Sequence, residues 1–254
     1  LSRQPGSNSL SASNSTTAFV FISEDTTDYS GVFFIGLVNA TGTDNVINKI
    51  QNSSIELCLL LSLPAGLGLI FASKEIISSL FGYGSFTKND IELTATALRY
   101  FGYGVPAFSM IKIMSNLFFA RNNTITPFKI SFFVVILNVT ISLIYFREVG
   151  FIIIPIATSI STWIGVFVYF FVLKSRKYLV IMNSTYRNLI KVILATILMT
   201  ISLIFFLDIF SDSLTYGENF KILYLLFIVF LAAATYLFLC YSLGVLKIKN
   251  YKTN

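Results

Sequence analysis

The chain has 254 residues, 55% of them hydrophobic and 12% charged, with a mean hydropathy of +0.78, a formal net charge of +6 and no histidine. Soluble domains carry about 25% charged residues, so half that share, gathered between long apolar runs, excludes a soluble globular domain and indicates an all-α, polytopic membrane helix bundle. The absence of His removes Ser-His-Asp and Cys-His catalysis and every imidazole zinc site. With no paired carboxylates in the apolar runs either, the expectation is a protein that is not an enzyme and uses no cofactor.

Residues 1–46 are dense in Ser, Thr, Asn, Gly and Asp, and their apolar pieces are far shorter than the roughly 20 residues of a spanning helix. They form neither a secretory signal nor a span, and are expected to be a flexible or mis-joined leader on a fragment that begins inside a longer protein. From Ile47 onward six apolar segments follow: Ile55 to Ala72, Ala95 to Ala120, Phe128 to Phe146, Phe151 to Leu173, Leu189 to Phe210 and Phe220 to Leu243. Each is close to the ~20 residues that cross a ~30 Å hydrocarbon core, and a helix satisfies its own backbone where water is absent. Six transmembrane helices are expected, four in residues 47–187 and a final pair in 188–254. Cys58 and Cys240 fall inside these runs as small buried hydrophobes.

The loops alternate in charge. Arg121 and Lys129 follow the second segment; Lys174, Arg176, Lys177, Arg187 and Lys191 follow the fourth; Lys247, Lys249 and Lys252 close the chain, all without an acidic residue. The other loops carry Glu75, Asp90, Glu92, Glu148, Asp208, Asp212 and Glu218. Basic loops stay cytoplasmic, so the first span starts in the cytoplasm and the C-terminus returns there. The basic charge is thus a topology signal that lipid headgroups explain without nucleic acid.

Polar residues inside the spans are the functional candidates. LSLPAGLGL in the first span and FGYGVPAF in the second place Pro64, Gly66, Gly68, Gly102, Gly104 and Pro106 where they can interrupt a helix. That is a mark of transporters with discontinuous helices, or of nothing beyond the ordinary Gly and Pro content of membrane helices. Lys112 is the sharper feature, lying within the second span with Ser109 at i−3 and Asn116 at i+4 on one face. An ammonium at that depth costs roughly 2.5 to 3.5 kcal/mol on insertion scales, which favours a wet cavity over a stem that snorkels to the headgroups. Asn138 and Ser142 form an i, i+4 stripe in the third span, and the fourth offers Thr158, Ser159, Ser161 and Thr162 after Pro155. These oxygens could hold a small monovalent cation, but hydrogen bonding between helices is the stronger reading. Glu56 and the Arg99, Tyr100, Tyr103 group read as interfacial, and the last two spans are apolar all round and unsuited to an aqueous path.

The order of motifs resembles the MurJ (MviN) lipid II flippases, members of the multidrug/oligosaccharidyl-lipid/polysaccharide exporter superfamily. The matching positions are Leu63 and Pro64; Leu80, Phe81, Gly84 and Phe86; Lys112; and Phe118, Phe119, Ala120, Arg121, Thr126, Pro127 and Lys129. The fourth span looks like the family's G-L-A-x-A-T-S helix, with Ile153 and Pro155 departing from it. The resemblance runs from about Ile47 to Leu243.

It implies a partial MurJ-like fold, the last six of fourteen spans, in an inner-membrane protein that moves undecaprenyl-linked peptidoglycan precursor by alternating access. It also implies that Lys112 faces an anionic headgroup, that Arg121, Thr126, Pro127 and Lys129 form a cytoplasmic hinge, and that Asn138 and Thr158 match polar positions of a sodium site. Ser142 stands where such members carry an acid. The alternatives are a flippase for another polyprenyl-linked oligosaccharide, such as O-antigen units, and a non-transporting membrane remnant.

Overall fold

In a computed structural model of the chain, residues 44–210 and 221–245 are described. The leader up to residue 43, the loop with Asp212 and Glu218 and the lysines of the tail lie outside them. The elements in order are α1 (Asp44–Phe71), α2 (Ser73–Phe81), α3 (Lys88–Phe119), α4 (Ile125–Val149), a 3-10 turn (Gly150–Ile152), α5 (Ile153–Ser175), α6 (Asn183–Ile209) and α7 (Lys221–Ser242). Each of the six expected spans falls in one long helix, and α2 is the addition. The first helix starts at Asp44, inside what composition assigns to the leader.

By length and composition, four helical stretches can cross a membrane: Asn48–Phe71, Ile125–Ser175, Asn183–Ile209 and Lys221–Ser242. The second, of 51 residues, is α4 and α5 joined through the 3-10 turn. α3 is not among them, because its apolar part mixes Gly102, Tyr103, Gly104, Pro106, Ser109, Ser115 and Asn116 with Lys112 and so is less hydrophobic than the other long helices. It nevertheless packs between α1 and α5 in the middle of the bundle. The long helices follow the spatial order α4, α5, α3, α1, α6, α7, with α2 against α3 and α7.

α1 and α3 run continuously through Pro64 and Pro106 rather than breaking there. A proline removes the donor to the carbonyl four residues earlier, which for Pro64 is that of Leu60. The Tyr236 hydroxyl of α7 donates to that carbonyl at 2.7 Å, so a neighbouring helix replaces the lost bond. Near Pro106, α5 bonds the backbone of α3 on either side of the Gly102 carbonyl that this proline frees: Ser159 donates to Tyr100 O at 2.6 Å and Trp163 Nε1 to Tyr103 O at 2.9 Å. The glycines beside these prolines serve close approach. A Cβ on Gly66 would lie 2.9 Å from Gly102 O, and one on Gly102 would lie 2.9 Å from Ile70 Cγ1. Small residues let two membrane helices meet backbone to backbone, which gains dispersion contact without a hydrophobic driving force.

Three helices end alike at the basic end of the bundle. In α3, Asn123 N donates to Phe118 O and Asn122 N to Phe119 O; in α5, Tyr178 N donates to Leu173 O and Lys177 N to Lys174 O; in α7, Val245 N donates to Cys240 O and Gly244 N to Tyr241 O. Asn122, Lys177 and Gly244 have φ of 54°, 56° and 67°. This is the paired-bond C-terminal cap built on one left-handed residue, and it satisfies carbonyls that the helix leaves open.

Two larger apolar clusters fill the layer, with a third, smaller one of Ile77, Ile91 and Ala95 between α2 and α3. One joins Met114, Leu117 and Phe118 of α3 to Val166, Tyr169 and Leu173 of α5. The other joins Ala195, Met199 and Leu203 of α6 to Leu225, Ile228 and Ala232 of α7. The outer faces remain apolar, as with Phe171 at 73% and Phe230 at 69% exposure. Exposed phenylalanines at that density are stable against hydrocarbon and not against water.

Candidate functional site

On α3, Lys112 is exposed, and its ammonium forms no hydrogen bond or ion pair with any described residue. The helix begins at Lys88, seven residues before the expected start, so Lys112 lies nearer one end than the middle. It stands roughly 10 Å of helix rise from Phe119. Ser109 and Asn116 share its face and are half-buried; Ser109 donates back to Val105 O at 3.1 Å. Phe101, Phe108 and Phe119 are exposed along the same side. The expected polar stripe therefore exists, as one cation on an otherwise apolar open face.

One turn from Lys112 toward the basic end, Ser115 enters a groove of about 550 Å³ between the end of α3 and the start of α4. Phe119, Pro127, Phe128 and Ser131 form its walls and Tyr169 of α5 its floor. The Tyr169 hydroxyl donates to Pro127 O at 3.1 Å and lies 3.4 Å from Ser131 Oγ, which ties the α4 side of the groove to α5.

The expected hinge divides into two parts. The turn itself is residues 120–124, shaped by Asn122 and by Asn123, whose Oδ1 accepts from Thr126 N at 3.1 Å. Thr126 and Pro127 instead lie in the first turn of α4, where a proline's missing N–H costs nothing. Lys129 is exposed on that helix. Arg121 is held firmly: its guanidinium donates to Leu117 O at 3.0 Å and Tyr178 O at 3.1 Å and sits 4.5 Å from the Tyr178 ring centre.

Two residues of this end escape sequence reasoning. Gln51, with its amide oxygen turned toward Arg121, accepts from the guanidinium at 3.2 Å and donates to Tyr178 O at 3.1 Å. Asn52 donates to Val180 O at 2.8 Å and accepts from Met182 N at 3.0 Å, capping the start of α6. Both are almost fully buried. Their signal was an adjacent Gln-Asn pair at the edge of an apolar run, which composition alone assigns to a solvated boundary. Glu56, expected at the interface, is half-buried and accepts from Asn188 at 3.0 Å.

The candidate ion residues are partly assembled. Asn138 Nδ2 donates to Thr158 Oγ1 at 2.8 Å and reaches Ser161 Oγ at 3.4 Å, joining α4 to α5. Both hydroxyls already give their protons to backbone, Thr158 to Ile154 O and Ser161 to Thr158 O, so the amide must present its nitrogen. Ser142 Oγ is buried without a hydrogen-bond partner and does not join them. Among the described residues no group of His, Cys, Asp and Glu could hold a metal ion.

A bundle of long apolar helices, with a carbonyl freed by Pro64 and re-bonded by a neighbouring helix and with one cation on an open apolar face, defines a multi-pass helical membrane protein. The sequence model of the family described as lipid II flippase MurJ matches residues 37–225, and the chain belongs to that family. The match starts ten residues ahead of the boundary that composition suggests.

Among curated relatives, a probable lipid II flippase MurJ of Rickettsia prowazekii (strain Madrid E) is 41% identical over 115 residues, 45% of this chain and 23% of the relative. One of Buchnera aphidicola subsp. Acyrthosiphon pisum is 31% identical over 200 residues, 78% of this chain and 39% of the relative. A solved structure titled "Lipid II flippase MurJ, inward closed conformation" superposes with a TM-score of 0.62 at 24% identity, over 78% of this chain and 40% of that one. The fold is shared, and the chain spans about two fifths or less of the length of these proteins.

Proposed function

We propose that this chain is the C-terminal portion of a flippase that moves undecaprenyl-linked peptidoglycan precursor across the bacterial cytoplasmic membrane by alternating access. The observation that carries the reading is Lys112, whose ammonium has no partner among the described residues, on the open apolar face of α3. A charge so placed is costly unless an anion or water faces it, and a lipid-linked phosphate supplies the anion. The basic end, with Arg121, Lys129, Lys174, Arg176 and Lys177, would lie in the cytoplasm, and the 120–124 turn would act as the cytoplasmic hinge. The bonds of Asn138 favour helix pairing as its role, with a monovalent cation as the second reading for Asn138, Ser142 and Thr158.

The test is complementation. A strain depleted of its lipid II flippase receives the complete gene product with Lys112→Ala or Lys112→Arg. The expected result is growth with Lys112→Arg and failure with Lys112→Ala at equal protein level; growth with both counts against a role for the charge. Lipid-linked precursors are extracted on depletion as well, and accumulation of a different polyprenyl-linked glycan assigns the chain to that substrate instead.

A further inference from the structure

The Leu80-Phe81 motif lies far from the Lys112 face, and the transport reading leaves it unexplained. It forms the last turn of α2 and the loop after it, at the end of the bundle opposite the basic loops. There Leu80, Phe81 and Tyr83 are 52%, 55% and 44% exposed, while Ser73, Ser78 and Ser79 of the same short helix are buried. Ile77 is buried with them and Lys74 is exposed, so the departure from a water-facing helix is confined to the tip, where Leu80 and Phe81 face outward and Ser78 and Ser79 inward. Phe86 packs on Phe81 with ring centres 6.3 Å apart, so the tip is one apolar knob.

The knob is fixed in place. Lys221, fully buried, donates to Gly82 O and to Ser78 O at 3.0 Å each, the latter shared with Gly82 N at the end of α2, and its ammonium sits 4.4 Å from the Tyr83 ring centre. A Cβ on Gly82 would lie 2.4 Å from Ser78 O and 3.0 Å from Lys221 Nζ, so only glycine permits this clasp.

Lys221 also sets the depth. In the sequence the apolar run of this last span opens at Phe220, directly after the polar stretch SDSLTYGEN, so Lys221 stands at the polar end of the run and whatever it bonds lies near the boundary between hydrocarbon and headgroups. The exposed apolar surface continues from the knob onto Ile222 and Leu223 of α7. On the other side of the knob the chain turns polar at once. Thr87 caps α3, and Lys88 and Glu92 are exposed, Glu92 pairing with Lys74 at 3.7 Å.

We propose that the α2 tip, Leu80, Phe81 and Tyr83, is a lipid-inserted anchor that holds this end of α3 and α7 at the bilayer interface. The occupant of the apolar surface is the lipid interface rather than another protein, because the knob is level with the start of a span and continuous with that span's lipid-facing side. Burying two large apolar side chains that water would otherwise surround favours insertion, and Tyr83 supplies the aromatic ring with a polar tip that such boundaries select.

The test uses the complete gene product in phosphatidylethanolamine/phosphatidylglycerol vesicles, with Cys58 and Cys240 replaced by alanine. Nitroxides are placed by Phe81→Cys, with Lys74→Cys as the wet reference and Phe205→Cys as the lipid reference, and relaxation by oxygen is compared with relaxation by a water-soluble nickel chelate. The expected result is a preference for oxygen at position 81 that approaches position 205. A preference matching position 74 overturns the anchor, and so does exclusion of both reagents, which would mean that protein covers the tip. Should Phe81→Cys not fold, Phe81→Trp on a Trp163→Phe background answers the same question. Quenching by lipids brominated near the headgroup supports the anchor, and absence of quenching overturns it.

Discussion

Two polar sites in the apolar helices look alike in sequence and behave in opposite ways. On α4 and α5, Asn138, Thr158 and Ser161 close on one another and on backbone carbonyls, and their donors are used inside the protein. On α3, Lys112 reaches no described residue, and Ser109 bonds only its own helix. A satisfied cluster in a membrane contributes to helix pairing, about 0.6 kcal/mol for an average bond. An unsatisfied cation contributes nothing to folding, and its cost must be offset by something outside the described chain. The contrast separates residues that hold the bundle from the residue proposed to address a ligand.

The largest expected effect breaks the contrast at Lys112. Lys112→Ala should lower complementation roughly tenfold or more while leaving thermal unfolding in detergent unchanged, because the charge opposes insertion and has no partner among the described residues. A drop in melting temperature would mean that the lysine holds the bundle after all. Next comes Gly102→Leu, whose new side chain would start 2.9 Å from Ile70 Cγ1 and 3.0 Å from Gly66 O. Overpacking at such a contact costs about 1 to 3 kcal/mol, read from the same unfolding curves.

Tyr236→Phe removes the donor to the Leu60 carbonyl that Pro64 leaves open, and should cost about 1 kcal/mol. Pairing it with Pro64→Ala should recover most of that loss, since the backbone then supplies its own donor. Asn138→Ala should cost only about 0.6 kcal/mol. Retained complementation would confine it to helix pairing, whereas lost sodium dependence would restore the cation reading.

The smallest effect is local. Thr87 caps α3, donating from its hydroxyl to Asp90 Oδ2 at 2.7 Å and from its N–H to the same oxygen at 2.9 Å. The hydroxyl bond first, then the backbone bond, hold the Asp90 carboxyl below its ordinary value. A depressed folded pKa means the cap's contribution is complete above the ordinary carboxyl range and is lost as pH falls through the depressed value. Amide exchange in the first turn of α3 should therefore quicken, beyond the intrinsic pH effect, only on acidification, and Thr87→Val should weaken that dependence, leaving the share carried by the backbone bond.

Much of the fold was legible in the sequence. Runs near the length of a bilayer crossing can only be helices in hydrocarbon, so the six long helices follow from composition and spacing. Their ends were less legible, because polar residues that look like loop continue the helix: α1 starts at Asp44 and α3 at Lys88. The candidate site was legible only in part. Lys112 stood out as a cost with no visible compensation, whereas Gln51 and Asn52 passed for boundary residues because their partners, Tyr178, Val180 and Met182, lie some 130 positions away.

Sequence by itself determined the membrane class, the apolar helices, their alternation of charged ends and the lysine that departs from the pattern. These are properties of transfer from water to lipid, which depend on composition along the chain. Only the tertiary structure decided which polar groups are satisfied. It turned Pro64 and Pro106 from expected breaks into contact points, gave Gly66 and Gly102 to helix packing, made Arg121 a fastener of the 176–182 loop and left Lys112 open. Hydrogen bonds between helices depend on which faces meet, and residues distant in the chain become neighbours only when the bundle closes.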